Sequence, residues 1–88
     1  GALKLKSGEN SNAFLRLDAG DIKEFSRPIE IEVIFDRERV GSRMIQGYAI
    51  DDEGRLSPVS MKSMDRPHGK VVFSTMIPLL LTWVITSK

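Results

Sequence analysis

The run VVFSTMIPLLLTWVI, residues 71–85, is the most apolar part of this 88-residue chain and contains no charged side chain. A membrane-spanning helix needs about 20 apolar residues, and this run is shorter and interrupted by polar residues, so we predict no membrane span. A soluble helix is disfavoured because the interior Pro78 would cost about 3 kcal/mol. Most of the other residues are β-branched or aromatic, which favours strands. We therefore predict two strands, over 70–77 and 79–86, hinged at Pro78.

The clearest alternation lies just before the middle of the chain, at 28–35. Apolar residues alternate there with glutamates, with Ile29, Ile31, Val33 and Phe35 on one face and Glu30 and Glu32 on the other. This period of two predicts a half-buried strand. Residues 44–50 follow as the return strand. Gly47 leaves a gap in it, which predicts either a bulge or a large side chain packed over the glycine.

Three further strands have weaker signals. Residues 3–6 and 13–18 alternate in short runs, and 55–64 is extended but irregular, with Pro58 marking an edge strand or a bend. The acidic residues 51–53 and the following glycine predict a tight turn whose carboxylates bind their own backbone.

Turn residues and helix-capping residues predict the conformation of two connecting segments. Asp21 is a candidate cap for one helical turn that directs Ile22 and Phe25 inward. The charged segment 36–43 predicts a hairpin-type loop, in which Gly41 can adopt a positive φ angle.

Together these segments predict an all-β fold, a small antiparallel barrel or sandwich of six to seven short strands with at most one short helical turn. Short connections favour a meander of consecutive strands. An immunoglobulin-like sandwich is the weaker alternative, because the chain has no cysteine and its one tryptophan falls in the last strand.

Length and composition limit the possible functions. Eighty-eight residues predict one domain with a modest core. The formal net charge of +1 gives no global field that would attract nucleic acid or an anionic membrane. The absence of cysteine excludes disulfides and a thiolate nucleophile, and it assigns no compartment. The start at Gly1 and the end just after an apolar strand predict a piece of a longer protein.

The polar clusters do not match known catalytic or metal-binding patterns. The run 51–53 lacks the twelve-residue ligand spacing of an EF-hand, and its carboxylates are neighbours in a turn, whereas glycosidase carboxylates face each other across a cleft. Glu30 and Glu32 occupy the solvent face of a strand. His68 is the only histidine, without a second histidine or a cysteine to form a zinc site. We therefore predict a non-enzymatic protein with no catalytic residue, metal or cofactor.

An alternative function comes from Arg37, Arg39 and Arg43 on one loop, because guanidinium groups match phosphate geometry. The segment 39–43 has the spacing R-x-x-x-R and resembles the first motif of the PilZ barrels, which implies a cyclic dinucleotide as ligand. The second PilZ motif, D/N-x-S-x-x-G, has no counterpart, so the family is not assigned. The alternative is therefore a small barrel that binds an anionic ligand, nucleic acid or a cyclic nucleotide, through these arginines.

The favoured function is protein contact through the last strands. Leu79, Leu80 and Leu81 are consecutive, and a half-exposed strand cannot bury all three. We expect Leu80 to project outward and to form, with Leu79, Leu81 and Trp83, a contact surface for a protein partner or for a second copy of the chain. An uncovered edge here would also permit strand pairing with another chain.

Overall fold

The computed structural model describes residues 2–6, 14–17 and 20–86, and for 2–6 it describes the backbone alone. The described residues form seven strands and one short helix. These are β1 (Ala2–Lys6), β2 (Phe14–Leu17), β3 (Ile29–Ile34), α1 (Arg37–Val40), β4 (Met44–Ile50), β5 (Leu56–Asp65), β6 (Lys70–Thr75) and β7 (Leu79–Thr86). The all-β prediction is confirmed. The segment between the strands predicted at 3–6 and 13–18, and residues 13 and 18 themselves, lie outside the described residues.

The strands form one curled sheet in the order β1-β3-β6-β5-β4-β7-β2. Neighbouring strands are antiparallel, except that β1 and β3 are parallel. β5 belongs to both halves of the sheet: its first residues, through Val59, pair with β4, and the residues from Ser60 onward pair with β6. Pro58 lies just before this change of partner, which agrees with the bend that proline predicts in a strand.

The curl brings the inner faces of both halves onto one core. β3 and β6 contribute their alternate residues from one half, and β4 and β7 contribute theirs from the other. The buried core residues are Ile31, Val33, Phe35, Val40, Ile45, Val59, Val71, Phe73, Leu81 and Trp83. Leu15 and Leu17 of β2 pack against this core, as their shared face predicts. Burial of these side chains is the main stabilising contribution to the fold.

Pro78 separates β6 from β7, as predicted from the apolar run, although β6 ends at Thr75, before the expected boundary. The predicted meander is correct only for β4, β5 and β6. β7 does not pair with β6 but lies between β4 and β2. The Thr75 hydroxyl contributes to the change of direction, because it donates to the Ile77 carbonyl (2.9 Å) and accepts from the Ile77 N–H (3.1 Å).

The short helix is not where the sequence placed it. Residues 21–25 form no helix, and Ile22 is 53% exposed instead of facing inward. The Phe25 N–H donates instead to the Met76 carbonyl at 2.6 Å. The helical turn is α1, inside the segment predicted as a loop. It forms because the Asp36 carboxylate accepts from the first N–H groups of the turn and Val40 is buried in the core.

Two predictions about glycines can be compared with the structure. Gly41 ends α1 with a φ of 55°, the positive value expected of it. Of the two alternatives for Gly47, the structure shows a large side chain packed over the glycine. The buried ring of Phe73 crosses this position, so closely that a Cβ on residue 47 would lie 2.6 Å from Phe73 Cε1.

Candidate interaction surfaces

The three consecutive leucines of β7 alternate between two faces. Leu81 is buried in the core and Leu79 packs against it, whereas Leu80, between them, lies on the opposite face of the sheet and is half-buried. Trp83 shares the inner face and is only 2% exposed. Of the four residues expected in a protein contact, Leu81 and Trp83 are therefore occupied by the chain's own core. Leu80 alone faces outward.

Apolar side chains from neighbouring strands surround Leu80 on the outer face. Leu80 is paired with Ile50 of β4, and Ile50 with Leu56 of β5. In the adjacent row, Phe14 of β2 and Tyr48 of β4 flank Thr82. Cross-strand partners project from the same side of a sheet. We call this surface the outer apolar face, and its residues are Phe14, Tyr48, Ile50, Leu56, Leu80 and Val84.

The outer apolar face remains accessible to solvent at its edges. Phe14 is 56% exposed, Leu56 is 55% exposed and Val84 is 37% exposed. Exposed apolar side chains that are contiguous on one surface are typical of a binding site, whereas isolated ones are ordinary. The sequence analysis missed five of the six residues. Each lies at an outward position of its strand, but only the register between the strands brings them together.

A cleft of about 460 Å³ borders this face at the end of β4. Its lining includes Leu80 and Ile50 in the centre, Arg16 of β2 on one side, and Asp51 and Asp52 on the other. Asp51 accepts hydrogen bonds from the Arg55 side chain and from the Glu53 and Arg55 N–H groups. Within the described residues, the side chains of Arg16 and Asp52 form no hydrogen bond or ion pair.

The predicted arginine cluster lies at the opposite end of β4, and Arg66 joins it. Arg66 donates to the carbonyls of Gly41 (2.9 Å) and Arg43 (2.6 Å), and Arg37 donates to the Pro67 carbonyl (2.8 Å). Arg43 donates to the Arg39 carbonyl. These bonds hold α1 and the following turn against the hairpin between β5 and β6. Carbonyl groups are neutral partners, so the positive charges are not compensated by them.

Two other cations, Arg55 and Lys62, lie away from this cluster and are paired with carboxylates. Arg55 lies in the acidic turn and forms ion pairs with Asp51 and Glu53. Lys62 forms an ion pair with Glu30 across the outer face of the other half of the sheet. Among the described residues, no carboxylate lies within ion-pair distance of Arg37, Arg39, Arg43 or Arg66.

Two exposed carboxylates have perturbed acidities. The Arg55 N–H that donates to Asp51 is the largest cause of its lowered pKa, and the Arg55 side chain adds to the effect. The pKa of Asp65 is lowered chiefly by its hydrogen bond with the His68 ring, whose Nδ1 lies 2.9 Å from Oδ2. Both carboxylates hold their own turns and are stabilised in the charged form. The turn held by Asp51 is the tight turn predicted at 51–54, in which Gly54 adopts a φ of 82°.

A metal-binding cluster and a membrane-spanning helix are both absent from the described part of the chain. No group of three or more His, Asp or Glu side chains there is placed to hold a metal ion. No helix in residues 2–6, 14–17 and 20–86 has the length and apolar character needed to cross a bilayer.

The chain and its fold were compared with known proteins. No protein-family model, curated protein or solved structure matched the chain.

Proposed function

We propose that this β module works by protein–protein contact through the outer apolar face. The observation that carries the proposal is the alignment of Phe14, Ile50, Leu56, Leu80 and Val84 on one surface of four paired strands. Such a surface costs free energy while it faces water, about 25 cal/mol for each Å² of apolar area. A protein partner that covered it would recover that energy on binding.

The shape of the face also favours a protein partner. It lies on paired strands of the sheet, which hold its side chains in fixed positions, so little ordering is required on association. Its centre is apolar, and charged residues such as Arg16 and Asp52 lie at its margin. An apolar centre within a polar rim is the usual arrangement of a protein interface.

Site-specific photo-crosslinking in the cells that produce the protein tests this function. A photoreactive residue at Val84 should give a covalent adduct with a protein, because Val84 lies on the outer apolar face. The same residue at Ile22, which is exposed but outside that face, is the control and should give none.

The substitution Leu80→Glu should abolish the Val84 adduct while circular dichroism shows an unchanged fold. Adducts at neither position, or equal adducts at both, would contradict the proposal. Mass spectrometry of the adduct then distinguishes a second copy of the chain from a different protein.

A second candidate function is binding of a phosphate-bearing anion by the arginines around α1. It is favoured by the observation that the guanidinium groups of Arg37, Arg43 and Arg66 donate to backbone carbonyls rather than to carboxylates. Arg39 provides the cleanest test, since its guanidinium has no hydrogen-bond partner in the described residues and its removal should spare the loop.

Titration with a single-stranded oligonucleotide at low ionic strength measures this second function. Affinity should fall steeply with added salt, and Arg39→Ala with Arg43→Ala should weaken it further. Arg55→Ala is the matched control, because Arg55 lies at the other end of β4 and is already paired with carboxylates. Equal losses from both sets of variants would show that the arginine cluster is not the site.

A further inference from the structure

The margin of the outer apolar face carries one cation and one anion without partners. Arg16 projects from β2 and Asp52 follows β4, and both line the cleft in which Leu80 and Ile50 are central. Neither side chain forms an ion pair or a hydrogen bond within the described residues. β7 lies between β2 and β4, and two strand spacings amount to about 10 Å. Within one chain the two charged groups lie beyond ion-pair distance of each other.

This distribution of charge is self-complementary. In an interface with two-fold symmetry the same patch is used by both subunits, so each residue meets the residue across the axis. If the two-fold axis passes between Leu80 and Ile50, Arg16 of each copy lies opposite Asp52 of the other copy. The interface then contains two such pairs. We infer that the outer apolar face binds a second copy of this chain, with Arg16 of each copy paired with the partner's Asp52.

This inference depends on the proposed function and specifies its partner. The apolar residues would supply most of the affinity, while the two ion pairs at the rim would fix the orientation of the copies. A partner of another sequence would need a matching anion and cation at the same separation. A second copy of the chain necessarily carries the matching anion and cation, so the unpaired charges favour a second copy as the partner.

Charge-reversal variants test the pairing. Arg16→Asp places two anions on the face, and Asp52→Arg places two cations on it. Each variant alone would bring like charges together twice in a homodimer, so sedimentation equilibrium should show self-association weakened at least about tenfold. In an equimolar mixture of the two variants, each facing pair is again a cation and an anion. The mixture should recover the wild-type association.

Two further variants complete the design. The double variant R16D/D52R reverses both charges in one chain and should also associate as the wild type does. Arg39→Asp makes the same change of charge at the opposite end of β4 and should leave association unchanged, which controls for net charge.

The outcomes distinguish this inference from the proposed function. A wild-type chain that stays monomeric at millimolar concentration, while Val84 crosslinks to a different protein, overturns the inference and leaves the function standing. Association that Leu80→Glu abolishes but that the charge reversals do not alter also overturns the inference, because the face would be correct and its pairing wrong. Recovery in the mixture, with both single variants weakened, supports it.

Discussion

At Gly47 even one added methyl group would overcrowd the core, because the Phe73 ring packs directly over the glycine. A Cβ there would lie 2.6 Å from Phe73 Cε1 and 2.9 Å from Cδ1, and the Phe73 ring is fully buried. Because the buried ring lies directly over this position, we expect Gly47→Ala to lower the free energy of unfolding by about 1–3 kcal/mol. Chemical denaturation monitored by circular dichroism measures this loss.

A double-mutant cycle identifies Phe73 as the cause. Phe73→Leu removes the atoms that the new methyl group would meet, at its own cost in stability. Gly47→Ala should therefore be less destabilising in the Phe73→Leu background than in the wild type. An equal cost in both backgrounds would show that the penalty comes from the backbone of β4 rather than from the ring.

Asp65 makes the stability depend on acid pH. Its pKa in the folded chain lies below the ordinary value of 3.8, chiefly because of the hydrogen bond with His68. The unfolded chain therefore binds more protons in this range, and the contribution of Asp65 is complete above pH 3.8 and is lost as the pH falls through its folded pKa. Asp65→Asn should remove this part of the acid dependence.

Urea denaturation over a pH series measures the effect of Asp65→Asn. The wild-type free energy of unfolding should fall more steeply below about pH 4 than that of the variant. Asp21→Asn is the control for removal of a carboxyl group, since Asp21 is exposed and its side chain has no hydrogen bond or ion pair in the described residues. The same slope in wild type and Asp65→Asn would show that the His68 contact does not stabilise the charged carboxylate.

The junction between β6 and β7 depends on one hydroxyl group. Thr75 is buried, and its Oγ1 both donates to the Ile77 carbonyl and accepts from the Ile77 N–H. Thr75→Val keeps the shape of the side chain but leaves these backbone groups without that partner, which should cost about 1–3 kcal/mol. Thr75→Ser keeps the hydroxyl and should cost less. Thermal unfolding compares the variants, and a loss from Thr75→Val no larger than that from Thr75→Ser would show that the hydroxyl hydrogen bonds are not the main contribution.

Local chemistry predicted most strands but not their order. Alternation identified β3, and the proline placed the break before β7, because side-chain period and proline geometry are properties of the segment itself. The order β1-β3-β6-β5-β4-β7-β2 depends on which strands meet after the chain has folded. The same limit applied to the candidate site. Leu80 was identified from its own strand, whereas Phe14 and Leu56 required the register.

The short helix shows a second limit. The sequence predicted a helical turn capped by Asp21, whereas the helical turn of the structure is capped by Asp36. Helix nucleation is costly, so a single turn persists only where tertiary contacts support it. Val40 supplies such a contact for α1, because it is buried in the core, while Ile22 remains exposed. Burial that depends on distant strands decided between the two caps.

For the whole molecule, the shared strand β5 joins both halves of the sheet around one core. Ile31 and Val33 of one half and Leu81 and Trp83 of the other belong to the same core. We expect Val33→Ala to shift the unfolding midpoint reported by Trp83 fluorescence by as much as the midpoint reported by far-ultraviolet circular dichroism. Trp83 is the only tryptophan, so its emission reports the half that was not mutated. Separate midpoints would mean that the two halves unfold independently.

The pairing of β2 with β7 has a consequence for biosynthesis. Leu17 is paired with Leu79, and Phe14 with Thr82, so an early strand of the chain finds its partner only in the last strand. During translation β2 remains unpaired with β7 until β7 has left the ribosome. The long loop between the two strands must then close, which slows folding. The row of Phe14, Thr82 and Tyr48 on the outer apolar face forms at that final step. A ribosome-bound chain would therefore lack the complete contact surface until its synthesis had passed β7.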